Sequence, residues 1–252
     1  GTAEGEPLYR YYGYVVDHII ETQEQADNAM YDSSAKGYRP SDGKNIAGRK
    51  EIGDYEWKNR EGSQTKDGKD YIDSQDQFLL GYTVPHSTGG LNNNFTYKNF
   101  TLNIFVDWAL GHSINNNSEM RYFMNTFANN YTLIDEVKQC WKQPGDNTKY
   151  ARFTANDPDD GNANFSRTSN VFNYKGDYLC IREISLQYNV PTNKLTKLGI
   201  QNLAITLAGN NLHYFTAVKG VSPEVGASTT YNKDYYNYPP IRKYSVGVKV
   251  TF

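Results

Sequence analysis

Residues 242–252 read RKYSVGVKVTF and alternate strictly between two kinds of side chain. One set contains the apolar members Tyr244, Val246, Val248, Val250 and Phe252, and the other contains Lys243, Ser245, Gly247, Lys249 and Thr251. Successive side chains of a β-strand point to opposite faces, so this period of two predicts a strand with one apolar face. Strands of soluble sandwiches and of membrane-spanning β-barrels both alternate in this way. A strand that runs to an aromatic carboxyl terminus favours the barrel.

The same alternation recurs in the stretches NNNFTYK (92–98), NFTLNIFVDWALG (99–111), IREISLQYNV (181–190) and QNLAITLAGNN (201–211). Their apolar sets are Phe95 and Tyr97; Phe100, Leu102, Ile104, Val106, Trp108 and Leu110; Ile184, Leu186, Tyr188 and Val190; and Leu203, Ile205 and Leu207. Only Phe105 interrupts the pattern, because it falls on the otherwise polar side of its strand. These stretches predict further antiparallel strands.

The connections between the predicted strands alternate between short and long. The turn at Lys98-Asn99 and the stretch 191–200 are short, whereas 111–177 and 211–242 are long and rich in turn-forming residues. Loops longer than about 15 residues are uncommon in soluble domains. Outer-membrane barrels have short periplasmic turns and long extracellular loops. We therefore predict an all-β fold, a transmembrane antiparallel β-barrel with long extracellular loops, in which the last strand carries the lipid-facing residues Tyr244, Val246, Val248, Val250 and Phe252.

The first quarter of the chain mixes two signals. Residues 8–16 and 53–59 read as strands, and residues 20–30 have helical propensity. Their place relative to a membrane does not follow from the pattern.

Composition excludes some functions and leaves others open. A net charge of -2 and a pI of about 6.1 argue against a nucleic-acid partner. No apolar run reaches the ~20 residues of a transmembrane helix, and the mean hydropathy of -0.75 is uninformative because barrel strands alternate. Cys140 and Cys180 could form a disulfide or remain free thiols. The four His residues lack metal-site spacing, and no catalytic frame is present, so we predict no enzymatic activity.

The acidic stretch KDGKDYIDSQD (66–76) is the one candidate metal site. It groups the carboxylates of Asp67, Asp70, Asp73 and Asp76, and oxygen-rich loops of this kind bind Ca²⁺. Lys69 interrupts the loop, however, and no Glu stands at the twelfth position. A solvated acidic loop is the ordinary alternative, and no other cofactor is predicted.

Aromatic residues of the second long connection are candidate contacts for a substrate or a protein lid. These residues are Tyr214, Tyr231, Tyr235, Tyr236 and Tyr238. Tyrosine rings stack on sugars and also bury well at protein interfaces. On the polar faces of the strands, Asn103, Asp107, Glu183 and Gln187 would meet either a substrate or a plug inside the barrel, and the plug is the preferred partner.

Four segments in order resemble SusC-like TonB-dependent transporters, the outer-membrane nutrient importers of Bacteroidetes. The segments are GYVVDHIIETQEQAD (13–27), TGGLNNNFTYKNFTLNIFVDWALGHSI (88–114), YLCIREISLQYNVPTNKLTKLGIQNLAITLAGNNLHYFT (178–216) and YPPIRKYSVGVKVTF (238–252). The resemblance implies that residues 1–252 are the C-terminal segment of a 22-stranded barrel, without the plug domain and early strands.

The resemblance also implies a function and partners. Such transporters import oligomeric nutrients, glycans or peptides, across the Gram-negative outer membrane. They work with a SusD-like surface lipoprotein as a lid and with the TonB complex acting through the plug. The expected partners are therefore this lipoprotein, the remaining N-terminal plug and barrel, the TonB complex and outer-membrane lipid. The alternative is a soluble cell-surface β-sandwich that binds glycans. A glycan-cleaving enzyme would need two carboxylates flanking a cleft, and no pair stands out.

Overall fold

The computed structural model describes residues 4–32, 36–39, 44–47, 50–60, 71–124, 132–154, 157, 163–191, 193, 195, 199–224 and 240–252. These residues are mostly β-strand with little helix. The strands are β1 (Arg10–Gly13), β2 (Val16–Ile19), β3 (Tyr31–Asp32), β4 (Lys36–Arg39), β5 (Lys44–Ala47), β6 (Tyr55–Trp57), β7 (Tyr71–Ile72), β8 (Phe78–Tyr82), β9 (Ser87–Tyr97), β10 (Phe100–Leu110), β11 (Ser113–Asn115), β12 (Asn173–Lys175), β13 (Tyr178–Asn189), β14 (Asn202–Thr216) and β15 (Lys243–Thr251). The helices are α1 (Gln23–Asn28) and α2 (Asn117–Met124), with short 3₁₀ helices at Ser74–Asp76, Asp135–Gln139 and Asn170–Phe172.

The described residues divide into two compact units. Unit 1 takes in the described parts of 4–83 and 113–174, and unit 2 takes in those of 84–112, 175–224 and 240–252. Each unit therefore combines segments that are far apart in sequence. The helices of the described chain all lie in unit 1, and its long strands all lie in unit 2. No helix in the described ranges has both the length and the apolar character needed to cross a bilayer.

Unit 2 is built on one antiparallel sheet of five strands in the order β15-β14-β13-β10-β9. The β9–β10 hairpin turns at Lys98-Asn99, as predicted, and Lys98 takes the left-handed conformation with φ 53°. Strands β9 and β14 are longer than the alternating stretches that predicted them, beginning at Ser87 and ending at Thr216. Among the described residues, β9 and β15 each pair on one side only. The sheet thus has two open edges.

Unit 1 is held together by an aromatic core to which both of its segments contribute. Tyr55 and Trp57 from β6 pack with Phe123 of α2 and with Phe165 and Phe172. The Phe123 ring is the centre of this cluster, since its centroid lies 4.3 Å from that of Tyr150 and 5.2 Å from those of both Phe165 and Phe172. Aromatic rings bury large apolar areas, so this cluster supplies much of the stability of unit 1.

The connection between β10 and β13 is therefore not a plain loop. The abundance of Asn, Asp, Gly and Ser in 111–177 predicts a long loop. Its described residues contain β11, α2, two 3₁₀ helices and β12, and they bury Phe123, Phe165 and Phe172 almost completely. The apolar residues of this segment are spaced irregularly, so their burial depends on packing against the N-terminal segment rather than on a periodic pattern.

The predictions for the first quarter of the chain are largely confirmed. The stretch 8–16 contains β1 and the start of β2, and 53–59 contains β6. The predicted helix is shorter, with α1 covering only Gln23–Asn28. Its start is set by a capping box, in which the Thr22 side chain accepts from the Gln25 N–H while the Gln25 side chain accepts from the Thr22 N–H. Cys140 and Cys180 are both buried free thiols.

Candidate functional site

The sheet of unit 2 separates its apolar and polar side chains onto two faces. The register aligns apolar residues into rows that cross all five strands, and the row nearest the β9–β10 turn is Tyr97, Phe100, Tyr188, Ile205 and Val248. The next row is Phe95, Leu102, Leu186, Leu207 and Val246. Cross-strand neighbours on one face stabilise a sheet directly, and the rings of Phe100 and Tyr188 lie 4.7 Å apart.

The apolar face is exposed in the described chain. Phe95 is 56% exposed, Leu207 52% and Val246 73%, whereas the apolar side chains in the core of unit 1 are below 10%. Exposed apolar patches of this extent mark a surface that contacts another protein or a membrane. The face is therefore unlike the surface of an isolated soluble domain.

The predicted lipid-facing residues of the last strand all lie on this face or continue it. Tyr244, Val246, Val248 and Val250 are aligned with Gly209, Leu207, Ile205 and Leu203 of β14. They are exposed, as is Phe252 directly after β15. The structure thus brings these residues together as the sequence predicted. Contact with lipid stays a prediction.

The opposite face is polar, and a bulge places Arg182 on it. Opposite β10, residues Phe105 and Val106 pair with Glu183 and Ile181, so Arg182 is an extra residue in β13. Opposite β14, Ile181 and Glu183 pair with His213 and Asn210. Without the bulge, a period of two would put Arg182 on the apolar face with Ile184. The bulge reverses the phase and directs its side chain towards Asp107.

Arg182 is the hub of a polar cluster formed by strands β10, β13 and β14 and by the segment after β14. Its Nε and Nη2 donate to the two carboxylate oxygens of Asp107 at 3.0 and 2.7 Å, a two-bond arrangement. Nη2 also donates to Glu224. Nη1 donates to Asn211 at 2.8 Å and to the hydroxyl of Tyr214 at 3.2 Å. We call Arg182, Asp107, Asn211, Tyr214 and Glu224 the Arg182 cluster.

The Glu224 end of the cluster belongs to a short segment that follows β14. Val218 and Ser222 of this segment are buried, and the Ser222 hydroxyl accepts from the Glu224 N–H at 3.2 Å. His112 forms a hydrogen bond to the backbone of Pro223, while burial lowers the pKa of that imidazole. The segment 217–224, itself part of unit 2, is therefore held by its bonds to His112 and Arg182 and by the burial of Val218 and Ser222.

Of the predicted aromatic contacts, only Tyr214 can be placed. It lies on the polar face, in register with Cys180 of β13 and through it with Asp107 of β10. Tyr231, Tyr235, Tyr236 and Tyr238 lie outside the described residues. Asp107, which was predicted on the polar face of its strand, lies on that face with Arg182.

The described part of the acidic stretch caps local backbone. The Asp73 carboxylate accepts from the Gln75 N–H at 2.7 Å, and the buried Asp76 carboxylate accepts from the N–H groups of Asp73 and Arg60 at 2.8 and 2.7 Å. Asp67 and Asp70 lie outside the described residues. Within the described ranges, no group of three His, Cys, Asp or Glu side chains could hold a metal ion. Calcium at this stretch stays a prediction.

Buried charges tie the two segments of unit 1 together. The fully buried carboxylate of Asp54 accepts from Arg152 Nε at 2.5 Å and from the Glu51 N–H at 2.7 Å. Arg152 also pairs with Glu51 at 2.9 Å, and Asn164 accepts from the Tyr55 N–H. Burial raises the pKa of Asp54, and the neighbouring arginine opposes that rise. These contacts join residues 51–55 to residues 152–164 within unit 1.

Asp157 is a second buried carboxyl group of unit 1 and gives a prediction about pH. Burial raises its pKa to about 7, although it accepts from the Phe165 N–H at 3.0 Å. The folded state therefore holds this proton more tightly than the unfolded state, whose pKa is near the usual 3.8. Below the unfolded pKa, Asp157 is protonated in both states and does not lower the free energy of unfolding. As the pH rises from there to about 7, the free energy of unfolding falls by up to about 1.4 kcal/mol per pH unit.

Asp157→Asn is accordingly expected to stabilise unit 1 at pH 8 by a few kcal/mol, on the order of 3–4, and to have a much smaller effect near pH 4. Pulsed proteolysis of the intact protein across denaturant concentrations at both pH values measures this difference. Asp135→Asn, at a highly exposed carboxylate of the same unit, serves as the control. A stability difference that does not change with pH would show that Asp157 is ionised normally in the folded protein.

Arg182 was not among the site residues predicted from the sequence, although the sequence contains a signal for it. Leu179 and Ile181 face the apolar side with Trp108 and Val106, and the next apolar-facing residue of β13 is Ile184. The step of three between 181 and 184 breaks the period of two. Such a phase change indicates a bulge, and the residue inside it is the one whose direction the period cannot predict.

Curated proteins similar to this chain are named TonB-dependent receptors. The chain is 28% identical over 194 residues to TonB-dependent receptor P3 of Formosa agariphila. The aligned region covers 74% of this chain and 18% of that receptor. It is 27% identical over 200 residues to TonB-dependent receptor P39 of the same organism, covering 75% and 18%. The chain thus spans about a fifth of the length of the curated relatives it matches. No family model matches it.

Solved structures show the same fold. The RagAB peptide transporter superposes with a TM-score of 0.63 at 17% identity, over 97% of this chain and 23% of that chain. The RagAB peptide importer in its closed-closed state gives a TM-score of 0.56 at 17% identity, over 96% of this chain and 23% of that chain. The relatives are receptors and transporters rather than enzymes, in agreement with the prediction for this chain. The resemblance predicted from the sequence is confirmed.

Proposed function

We propose that this chain forms the C-terminal strands of a SusC-like TonB-dependent transporter, a 22-stranded outer-membrane β-barrel that imports an oligomeric nutrient as part of a SusCD-type complex. The nutrient is a glycan or a peptide. The observation that carries the proposal is the five-stranded sheet of unit 2, with apolar rows exposed on one face and polar residues on the other. A lipid-facing and a lumen-facing surface require this division.

The dimensions of the sheet support a membrane-spanning role. Strand β10 has 11 residues, and at about 3.4 Å per residue it extends roughly 34 Å. Tilted by about 35–45°, a strand of this length covers roughly 25 Å along the membrane normal, which is the height of the apolar band of outer-membrane barrels. Aromatic residues stand near both ends of this strand, with Phe100 at one end and Trp108 near the other.

The open edges of the sheet support the proposal that further strands complete the barrel. A strand edge in lipid leaves its N–H and C=O groups without partners, at a cost of several kcal/mol for each group. We propose that β9 and β15 pair with strands of the remaining N-terminal barrel, which also holds the plug that connects to TonB. The SusD-like lipoprotein is proposed to cover the extracellular side, where the chain leaves β10 and re-enters the sheet at β13.

Purification of the native protein from outer membranes tests this proposal. We expect the chain to require detergent and to elute with a plug-bearing N-terminal part, in the same polypeptide or bound to it, and with a surface lipoprotein. Peptide sequencing of the co-purified material identifies both. Uptake by intact cells should also stop when an uncoupler collapses the proton motive force. A chain that is monomeric and stable without detergent would instead support the glycan-binding sandwich.

A further inference from the structure

The Arg182 cluster is a candidate site for a chemical group of the cargo, an inference that rests on the proposed function. Arg182, Asp107 and Tyr214 stand on the polar face of the sheet, the face proposed to line the interior of the barrel. The side chains of Arg182 and Glu224 are 24% and 27% exposed, so the ion pair between them is accessible to water. A solute inside the barrel could therefore reach it.

The two carboxylates of the cluster are held in different ways. Asp107 forms the parallel two-bond arrangement with Nε and Nη2, and its backbone is fixed within β10. Glu224 shares Nη2 with Asp107 through a single bond and belongs to the segment after β14 rather than to a strand. A two-bond pair is stronger and more directional than a one-bond pair. Glu224 is therefore the carboxylate that another anion would displace.

The charge of the cluster is compatible with such an exchange. One guanidinium faces two carboxylates, so the cluster carries one more negative than positive charge. Exchange of Glu224 for a carboxylate of the cargo keeps that balance and leaves the Asp107 pair intact. The side chains of Asn211 and Tyr214, both bonded to Nη1, frame the guanidinium and add an amide, a hydroxyl and an aromatic ring.

We propose that Arg182 recognises a carboxylate group of the transported molecule and that Glu224 occupies this position as an internal substitute when no cargo is bound. The chemistry is shared by the C-terminus or an acidic side chain of a peptide and by the uronic acid of a glycan. Displacement of Glu224 also frees one contact of the segment 217–224. Binding of a carboxylate and loss of this one contact are then linked.

The test measures binding of two matched probe pairs to the purified full-length transporter. One pair is pentaalanine and its C-terminal amide, and the other is trigalacturonate and its methyl ester. In the unaltered protein, the carboxylate form of at least one pair is expected to bind about tenfold more tightly than its neutral form. The pair that shows the preference identifies the source of the carboxylate.

Variants then assign the preference to the cluster. Arg182→Gln should abolish it, and Glu224→Gln should strengthen binding of the carboxylate form several-fold by removing the competitor, with no change for the neutral form. Asp135→Asn, at a highly exposed carboxylate outside the Arg182 cluster, is the control and should leave the preference unchanged. A purely structural role of the cluster would alter both forms equally.

Two results would overturn the inference. Equal binding of the charged and neutral forms in both pairs removes the recognition role, and weaker or unchanged carboxylate binding by Glu224→Gln removes the competitor role. Glu224→Gln remains informative if Arg182→Gln fails to fold. Energised uptake that persists in either case leaves the proposed transport function standing, so the two proposals fail separately.

Discussion

Arginine in place of Ile184 is expected to destabilise the folded protein in the membrane by about 2–4 kcal/mol, the cost of a charged side chain at the midplane of a barrel. Ile184 lies at the centre of the sheet, paired with Ile104 on β10 and Gly209 on β14. Its row stands midway between the aromatic ends of β10, and its side chain belongs to the apolar face. The guanidinium would have to enter hydrocarbon or distort the strand.

The measurement is the amount of folded full-length protein in outer membranes and its resistance to denaturant extraction. Gln187→Arg is the matched control, because it adds the same side chain to the polar face of the same strand and should be tolerated. If Ile184→Arg folds and assembles as well as this control, the apolar face does not meet lipid. That outcome would count against the proposed barrel and favour a soluble sheet.

Removal of the Phe123 ring is expected to have an effect of similar or greater size in unit 1. Phe123→Ala should destabilise the unit by about 3–5 kcal/mol, the usual cost of truncating a fully buried aromatic side chain. The ring contacts those of Tyr150, Phe165 and Phe172, so its loss opens a cavity at the centre of the core.

Pulsed proteolysis of the intact protein, with mass spectrometry of the fragments, measures the effect in each unit. Cleavage is expected to increase within 113–174 and within the N-terminal segment together, because both contribute to the same core. Leu8→Ala, at an exposed apolar residue of the same unit, should change little. Cleavage confined to one of the two segments would show that they fold separately.

The strands of unit 2 were the most predictable part of the molecule. Successive side chains of a pleated strand point to opposite faces, so a strand with one buried face has alternating apolar residues. This holds whether that face meets lipid or a protein core. The hairpin at Lys98-Asn99 and the common face of Val246, Val248 and Val250 were therefore predicted correctly. The helix α1 was also anticipated, but its bounds depended on the Thr22 capping box rather than on propensity.

The candidate site was less predictable, because at a bulge the alternation of residues no longer shows to which face of the sheet a side chain points. The side chain of Tyr214 was singled out for its aromatic ring, and Asp107 for its position on a polar face. Neither observation indicated that Arg182 joins them. A single extra residue in β13 decided this, since it moves every later side chain to the other face.

Outside the bulge at Arg182, the sequence by itself determined which residues of the long strands share a face, because side-chain direction in a regular strand is a local property of the backbone. Tertiary structure alone decided that 113–174 folds with the N-terminal segment around Phe123, and that Arg182 meets Asp107, Tyr214 and Glu224. These contacts join residues that are tens of positions apart. Their formation depends on which surfaces pack against each other in the folded chain, and the periodic pattern of neighbouring residues does not predict this.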